Sequence, residues 1–496
     1  MINLRLISLL LVLLSTWVAA NPKPNIIVIL ADDLGYGDIS SFGATDIATP
    51  RIDQLANEGV KFTQFYSAAP VCTPSRAGLL TGRLSARMGI SHVFREDATD
   101  GMPPSEITIA EQLKQAGYHT GMVGKWHLGH LDPYMPWNQG FDEFFGVPYS
   151  NDMGNFFFYE NRQMLHQEID QRYLTRRYTE KAIDYIERHA SEPFFLYLSH
   201  NMPHTPLYVS PEFDGVSDRG LYGDVVQELD WSTGQIVDKL IALDLLENTL
   251  IIFSSDNGPW LAMRSHGGSA GQLRDGKGST FEGGQKVPAL AYWPARITSG
   301  RVEVKPSSLL DLMPTFSAIV NVPLPEDRVI DGRNISALIS RKPEDDTSSE
   351  QFFYISAIKP QINAYRQDEW KLKLARKGYP KIFEPFIKLD HYAHKLMLFN
   401  LKDDPFEANN IATDHPERVK AMQTAISQME QSIASEGARP LKMSGTKADR
   451  KGYGEWVVRL AMLAFILLGL LYALYRVGKF IYRRVFGTRK IVKSGD

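Results

Sequence analysis

Short, continuous apolar runs recur between Asn25 and Pro294, broken by glycine and polar residues. Asn25 to Leu30 reads Asn-Ile-Ile-Val-Ile-Leu, and Phe194 to Leu198 reads Phe-Phe-Leu-Tyr-Leu. Leu250 to Phe253 reads Leu-Ile-Ile-Phe, and Ala289 to Trp293 reads Ala-Leu-Ala-Tyr-Trp. Apolar runs of this length without alternation predict strands buried on both faces. His119 to Val123 predicts a further short strand. Between these runs, helical patterns cover Thr49 to Gly59, Ile109 to Gly117, Tyr173 to His189 and Tyr222 to Leu243. Pro50 suits a first helical turn and Gly59 a stop. Strand and helix alternating over 21–345 predict an α/β domain with a large mixed, mostly parallel sheet flanked by helices.

The pattern changes after the polar stretch Arg341 to Glu350. Candidate strands lie near Phe352 to Ile355, Trp370 to Leu374 and Lys395 to Asn400. A helical pattern follows from Glu417 to Ile433. Residues 346–436 are therefore expected to form a small C-terminal antiparallel sheet with a packed helix. Residues 437–455, rich in Lys, Gly and polar types, read as a linker.

The two ends carry apolar stretches of another kind. Residues 1–20 have the form of a signal peptide: Arg5, an apolar run from Ile7 to Val18, then Val18-Ala19-Ala20. Residues 456–475 are apolar enough and long enough to predict one C-terminal transmembrane helix. Trp456, Tyr472 and Tyr475 suit the two interfaces. The basic tail 476–496, with Arg476, Lys479, Arg483, Arg484, Arg489, Lys490 and Lys493, suits the cytoplasmic side. The expectation is a single-pass membrane protein with an exported catalytic body. A chain of 496 residues with one cysteine has no internal disulfide, which fits a bacterial periplasm better than a eukaryotic lumen.

Composition adds little beyond this. Lys and Arg number 54 against 57 Asp and Glu, for a formal charge of −3. With the tail basic, the body is correspondingly acidic, and nothing points to nucleic acid as a partner.

The candidate chemistry falls at strand ends, where open α/β sheets bind ligands. The first run leads into Asp32-Asp33-Leu34-Gly35, and Leu250 to Phe253 leads into Asp256-Asn257-Gly258. Phe194 to Leu198 leads into His200 and His204. His119 to Val123 leads into Gly124-Lys125-Trp126-His127. Asp32, Asp33, Asp256 and Asn257 form an all-oxygen set of the kind that Ca2+ prefers. Without a cation, three acids this close would repel one another. Arg76, Lys125, His127, His204 and Lys277 form a basic set able to hold a tetrahedral anion and stabilise charge developing on it.

The lone cysteine opens Cys72-Thr73-Pro74-Ser75-Arg76, and Leu79-Leu80-Thr81-Gly82-Arg83 follows. Pro74 fits the first turn of a helix, which places Cys72 just before a helix N-terminus, a favourable place for an anion. This ordered run resembles the signature of the sulfatases. So does the second stretch, Leu273-Arg274-Asp275-Gly276-Lys277-Gly278-Ser279-Thr280-Phe281-Glu282-Gly283-Gly284. The resemblance extends from about Asn25 to Asn410, including Asn400-Leu401-x-x-Asp404-Pro405-x-Glu407.

The resemblance implies a sulfuric ester hydrolase of the arylsulfatase-like, formylglycine-dependent kind, acting on aryl or carbohydrate sulfates. It implies that a separate maturation enzyme converts Cys72 to formylglycine, whose hydrate is the nucleophile. It implies Ca2+, in preference to Mg2+, at Asp32, Asp33, Asp256 and Asn257, with an oxygen from residue 72 completing the site. Arg76, Lys125, His127, His204 and Lys277 fall at the family's sulfate-binding and proton-transfer positions. Ser150, in Tyr149-Ser150-Asn151-Asp152, matches a serine near the sulfate; some members have His where Asn151 stands. Lys277 or His204 would protonate the leaving alcohol, and His127 would take the proton that lets sulfate depart. Two other readings stay open. One is a phosphonate monoester or phosphodiester hydrolase with the same activated cysteine. The other is an unconverted, non-catalytic anion-binding protein. Phe156, Phe157, Phe158 and Tyr159 read as core filling.

Overall fold

The apolar runs do form strands, and their register decides where the polar residues emerge. The computed structural model describes residues 23–154, 156–166, 169–297, 300–340, 351–357, 359–375, 395–437, 469–472 and 474–479. Its strands, in chain order, are β1 (Asn25–Ala31), β2 (Val60–Phe62), β3 (Phe65–Tyr66), β4 (His119–Lys125), β5 (Glu143–Val147), β6 (Phe158–Glu160), β7 (Gln163–Leu165) and β8 (Phe194–Ser199). There follow β9 (Thr249–Ser255), β10 (Ala289–Tyr292), β11 (Arg301–Glu303), β12 (Ser307–Ser308), β13 (Gln351–Ile355), β14 (Ile362–Gln367), β15 (Trp370–Lys373) and β16 (Met397–Asn400).

Ten strands make one sheet in the order β11-β2-β10-β9-β1-β8-β4-β5-β6-β7. The central five, β9-β1-β8-β4-β5, are parallel neighbours. Antiparallel strands extend both flanks, so the sheet is mixed with a parallel heart, as the alternation of patterns predicts. Residues of β1 alternate between two cores. Ile26, Val28 and Leu30 face one, with Leu79, Leu80, Leu113 and Phe316 from its helices. Ile27, Ile29 and Ala31 face the other, with Leu55, Tyr178, Val225 and Leu229. This double burial is why the runs lack alternation.

The predicted helices lie at Pro50–Glu58, Ile109–Lys114, Leu174–Arg188 and Leu221–Ala242. Pro50 occupies the first turn and Gly59 is the C-cap, as read from the sequence. One glycine permits the close approach of two central strands. A Cβ on Gly124, at φ +114°, would lie 1.8 Å from the Ser199 carbonyl oxygen.

A second sheet, β13-β14-β15-β16, is antiparallel throughout. Val419, Met422 and Ile426 of the Pro416–Ser435 helix are its buried face. The sequence reading missed β14, Ile-Asn-Ala-Tyr-Arg-Gln, because Asn363 and Arg366 interrupt its apolar pattern. Both are buried, and Arg366 donates to the Tyr66 hydroxyl and to Gln64 Oε1.

The small sheet meets the large unit through buried charge. Glu282 Oε1 accepts from Tyr354 (2.6 Å) and from Lys371 Nζ (2.9 Å), and Oε2 accepts from Tyr66 (2.6 Å). Lys371 also pairs with Glu407 Oε1 at 2.9 Å. Glu407 Oε2 accepts from the Glu282 backbone N–H at 2.6 Å. Lys373 Nζ donates to Thr280 Oγ1 at 2.5 Å. Contacts divide the chain into units Met1–Met443 and Ser444–Asp496, and the small sheet with its helix belongs to the first.

The transmembrane helix expected over 456–475 is corrected. No helix among the described residues is long and apolar enough to cross a membrane. Near that stretch the described helical residues are 469–472 and 474–479, short of the roughly 20 apolar residues a bilayer requires. They also include the charged Arg476 and Lys479. With the span goes the expected single-pass membrane placement. The rest of 456–475 lies outside the described residues. So do the expected signal peptide 1–20, the linker beyond Gly437 and the tail beyond Lys479.

Candidate active site

Two parallel strands deliver the acids. Asp32 and Asp33 follow β1 directly, and Asp256 and Asn257 follow β9. Ala31 lies opposite Ser255 in the register, so both polar pairs leave the sheet side by side. The Asp33 backbone N–H donates to Asp256 Oδ1 (3.2 Å), and Asn257 Nδ2 donates to Asp33 Oδ1 (2.7 Å). Asp33 takes φ 65°, a left-handed conformation that short polar side chains tolerate.

Each carboxylate meets a cation of the chain. Lys125, the last residue of β4, places Nζ 2.5 Å from Asp32 Oδ2. Lys277 places Nζ 2.7 Å from Asp33 Oδ2. Arg76 holds Asp256 Oδ2 with Nε (2.9 Å) and Nη2 (2.8 Å). Its Nη1 donates to the Lys125 carbonyl (2.8 Å) and to Ser199 Oγ (2.5 Å). Arg76 is thus committed to fixing the rim. Burial raises the Asp32 carboxyl, but Lys125, His204 and Arg76 outweigh it and leave it below its ordinary value. Asp256 goes the other way, pushed up by burial and by the charge of Asp32. Lys277, though buried, is raised by Asp33 and stays protonated.

Cys72 is the first residue of the Cys72–Thr81 helix, with Val71 as N-cap. The sequence reading puts it just before that helix, one position away. Its Sγ lies 3.5 Å from Asp32 Oδ1. Burial pushes the thiol well above its ordinary pKa, so as a thiol it is protonated and a poor nucleophile.

Both site histidines have a defined tautomer. His127 Nε2 is 2.9 Å from the Phe94 carbonyl oxygen. A carbonyl only accepts, so Nε2 carries the hydrogen and Nδ1 keeps its lone pair. Nδ1 has no hydrogen-bond partner. Burial, then Lys125 and Arg76, hold this ring neutral. His204 Nδ1 is 2.6 Å from the Thr205 carbonyl and 3.4 Å from Ser150 Oγ. Its Nε2 is 3.7 Å from Asp33 Oδ2.

Part of the predicted donor set, Asp32 and Asp33 with residue 72, gathers closely enough to hold a cation, whereas Asp256 is outside that group. Ligand atoms of Asp32, Asp33, Cys72 and His204 lie within 4.8 Å of one another. Asn257 Oδ1 is buried with no hydrogen-bond partner. Buried amide oxygens are rarely left so, and a cation would satisfy it. Carboxylate and amide oxygens are the ligands Ca2+ prefers.

The eleven residues singled out in the sequence form one connected cluster, Ser150 through His204 and His127 through Thr73, whose Oγ1 donates to the His127 carbonyl (2.9 Å). His200 does not join it. Its Nε2 is 3.4 Å from Ser232 Oγ, beside the Tyr178 ring. Phe158 is core, stacked on Phe145, while Phe156, Phe157 and Tyr159 are half-buried. Sequence reasoning passed over Ser199, Thr73 and Trp260. Ser199 ends β8, so the strand-end rule could have found it. The Trp260 ring lies 4.6 Å from Lys277 Nζ and 5.4 Å from the His204 ring. It follows Asp256-Asn257-Gly258-Pro259 on the same strand exit.

The chain is similar to known proteins. The family described as Sulfatase matches residues 24–322. Arylsulfatase G of Rattus norvegicus is 36% identical over 445 residues, covering 80% of this chain and 84% of its own. Human N-acetylgalactosamine-6-sulfatase is 41% identical over 342 residues, 64% of this chain and 66% of its own. A solved structure described under metabolism of multiple glycosaminoglycans by Bacteroides thetaiotaomicron is 30% identical. It has a TM-score of 0.75 and covers 83% of this chain and 100% of its own.

Proposed function

The chain belongs to the sulfatase family and is a sulfuric ester hydrolase, and from that premise we propose that it cleaves carbohydrate sulfate esters at the Cys72 cluster. The observation that carries this reading is the convergence of Cys72, three acids and three cations on one rim. The carbohydrate half is supported by the relatives, one named for a 6-sulfated amino sugar and one for glycosaminoglycans.

Asp32, Asp33, Asp256 and Asn257 would hold Ca2+, which supplies positive charge beside the reacting oxygen and lowers its pKa. Cys72, converted by a maturation enzyme to formylglycine, supplies as its hydrate the attacking hydroxyl and the second hydroxyl that later frees sulfate. Every other role belongs to side chains already in place. Arg76 fixes Asp256 and, through Ser199 and the Lys125 carbonyl, the ends of β4 and β8. Lys125 and Lys277 are the ammonium groups that meet the sulfate oxygens and the charge that builds on them. Ser150 holds His204. Lys277 or His204 gives a proton to the departing alcohol, both lying against Asp33. His127, neutral with its lone pair on Nδ1, takes the proton from the second hydroxyl.

The test has two parts. Mass spectrometry of the peptide containing residue 72, from protein matured in its native host, should show the aldehyde. Parallel rates on sulfate, phosphate and phosphodiester esters should favour sulfate. An unaltered thiol in fully active protein overturns the residue 72 role. Faster cleavage of phosphodiesters overturns the assignment of substrate.

A further inference from the structure

At the opposite end of the sheet from Lys125, a second group of ligating side chains gathers. His119 is the first residue of β4, so about 20 Å of extended strand separates it from Lys125. His189 caps the C-terminus of the Leu174–Arg188 helix. Glu192 lies in the turn that follows, two residues before β8. Ligand atoms of these three residues lie within 4.8 Å of one another. The His119 and His189 rings stack with centroids 4.6 Å apart, and His119 Nε2 touches Glu192 Oε2.

We propose that His119, His189 and Glu192 form a site for a borderline divalent ion such as Zn2+, separate from the catalytic cluster. Two imidazoles and a carboxylate are the donors such an ion takes, in preference to Ca2+. The orientation of His189 is fixed as in metal sites, where the ligand histidine gives its other nitrogen to a carboxylate. Its Nε2 is 2.8 Å from Glu143 Oε1, which leaves Nδ1 for the ion. Glu143 is itself held by Arg188 through two bonds of 2.7 Å. The backbone is tied as well. The His119 N–H donates to the Pro193 carbonyl (3.1 Å), and the Glu192 N–H to the His189 carbonyl (3.2 Å). His119 and Glu192 are exposed enough to give an ion entry and to leave one coordination position for water. A bound ion would staple the helix end to β4 and to the turn entering β8.

The test is a calorimetric titration of Zn2+ into untagged, metal-stripped full-length protein resaturated with Ca2+. The expected result is one Zn2+ site whose affinity falls at least tenfold in His119→Ala and again in His189→Ala. Zn2+ should raise the melting temperature of the wild-type protein and not that of His119→Ala. Ester hydrolysis by the Ca2+-loaded protein should be unchanged in His119→Ala. No Zn2+ binding, or binding to both variants with wild-type affinity, overturns the proposal.

Discussion

Two clusters of buried charge share one loop. Lys277 and Glu282 lie five residues apart, and each faces a different assembly. Around Glu282 every acceptor meets a hydroxyl or an ammonium: both Glu282 oxygens accept hydrogen bonds, and Glu407 Oε1, which has no hydrogen bond, is met by the ion pair with Lys371, which lies 2.9 Å from each acid. Around Asp32 the charges also match, three acids against three cations, yet acceptors are left over. Asn257 Oδ1 and His127 Nδ1 have no hydrogen-bond partner. The Glu282 cluster is built to stay as it is, and the Asp32 cluster is built to receive something. Leftover acceptor capacity, more than buried charge itself, separates a site from a brace.

The sharpest way to break this distinction is at Cys72. Cys72→Ser should release at most one product per molecule in a single-turnover assay, because a serine ester lacks the second hydroxyl. Sustained turnover would sink the role given to residue 72. Asp256→Ala should lose Ca2+ and lower kcat/KM by about 100-fold or more, with the fold intact by circular dichroism. Unchanged calcium stoichiometry in that variant would remove Asp256 from the ligand set.

The Glu282 cluster should answer in stability instead. Lys371→Met leaves two carboxylates without their shared ammonium and should cost about 3–5 kcal/mol in denaturant unfolding. Adding Glu407→Gln should recover part of that loss; no recovery would mean that charge is not what Lys371 contributes. Lys373 adds a pH dependence. Burial and Lys371 hold its pKa at about 7, below the ordinary lysine value of 10.5. Between these values the unfolded chain binds more protons, so this residue's contribution to stability grows as pH rises from 7 to 10.5 and is lost as pH falls back towards 7. Wild type should therefore gain on Lys373→Met between pH 7 and pH 9.5 in matched melts. A baseline comes from the exposed Arg51–Asp238 pair: Arg51→Ala should change stability by about 1 kcal/mol or less.

Much of this was legible in the sequence, for a physical reason. Strands buried on both faces announce themselves as unbroken apolar runs, and ligands gather where such runs stop. That rule alone brought Asp32, Asp33, Lys125, His127, His204, Asp256 and Asn257 to one rim. It also offered His200, which the chain turns away toward Ser232, because direction at a strand end is not written in residue type. Trp260 was invisible for the opposite reason, since its residue type carries no chemical alarm, and Ser199 was passed over although it ends β8. β14 was missed because Arg366 looks like surface, and its partners Tyr66 and Gln64, some 300 positions earlier, make its burial tolerable. The C-terminal apolar stretch was read from length, hydropathy, flanking aromatics and the basic tail, and the described helix there falls short of a span.

The bond from the Glu282 N–H to Glu407 Oε2, together with that from Arg274 Nη1 to the Glu407 carbonyl (2.7 Å), carries a consequence for the order of synthesis. Acids at positions 32 and 33 leave the ribosome early, whereas the residue that pins both ends of the Lys277 loop emerges some 375 positions later. Between the exit of β11 (Arg301–Glu303), which completes the large sheet, and that of residue 407, a nascent chain therefore carries the sheet with an unfastened rim. Any messenger truncated before codon 407 would lack the latch for the last ammonium group of the site.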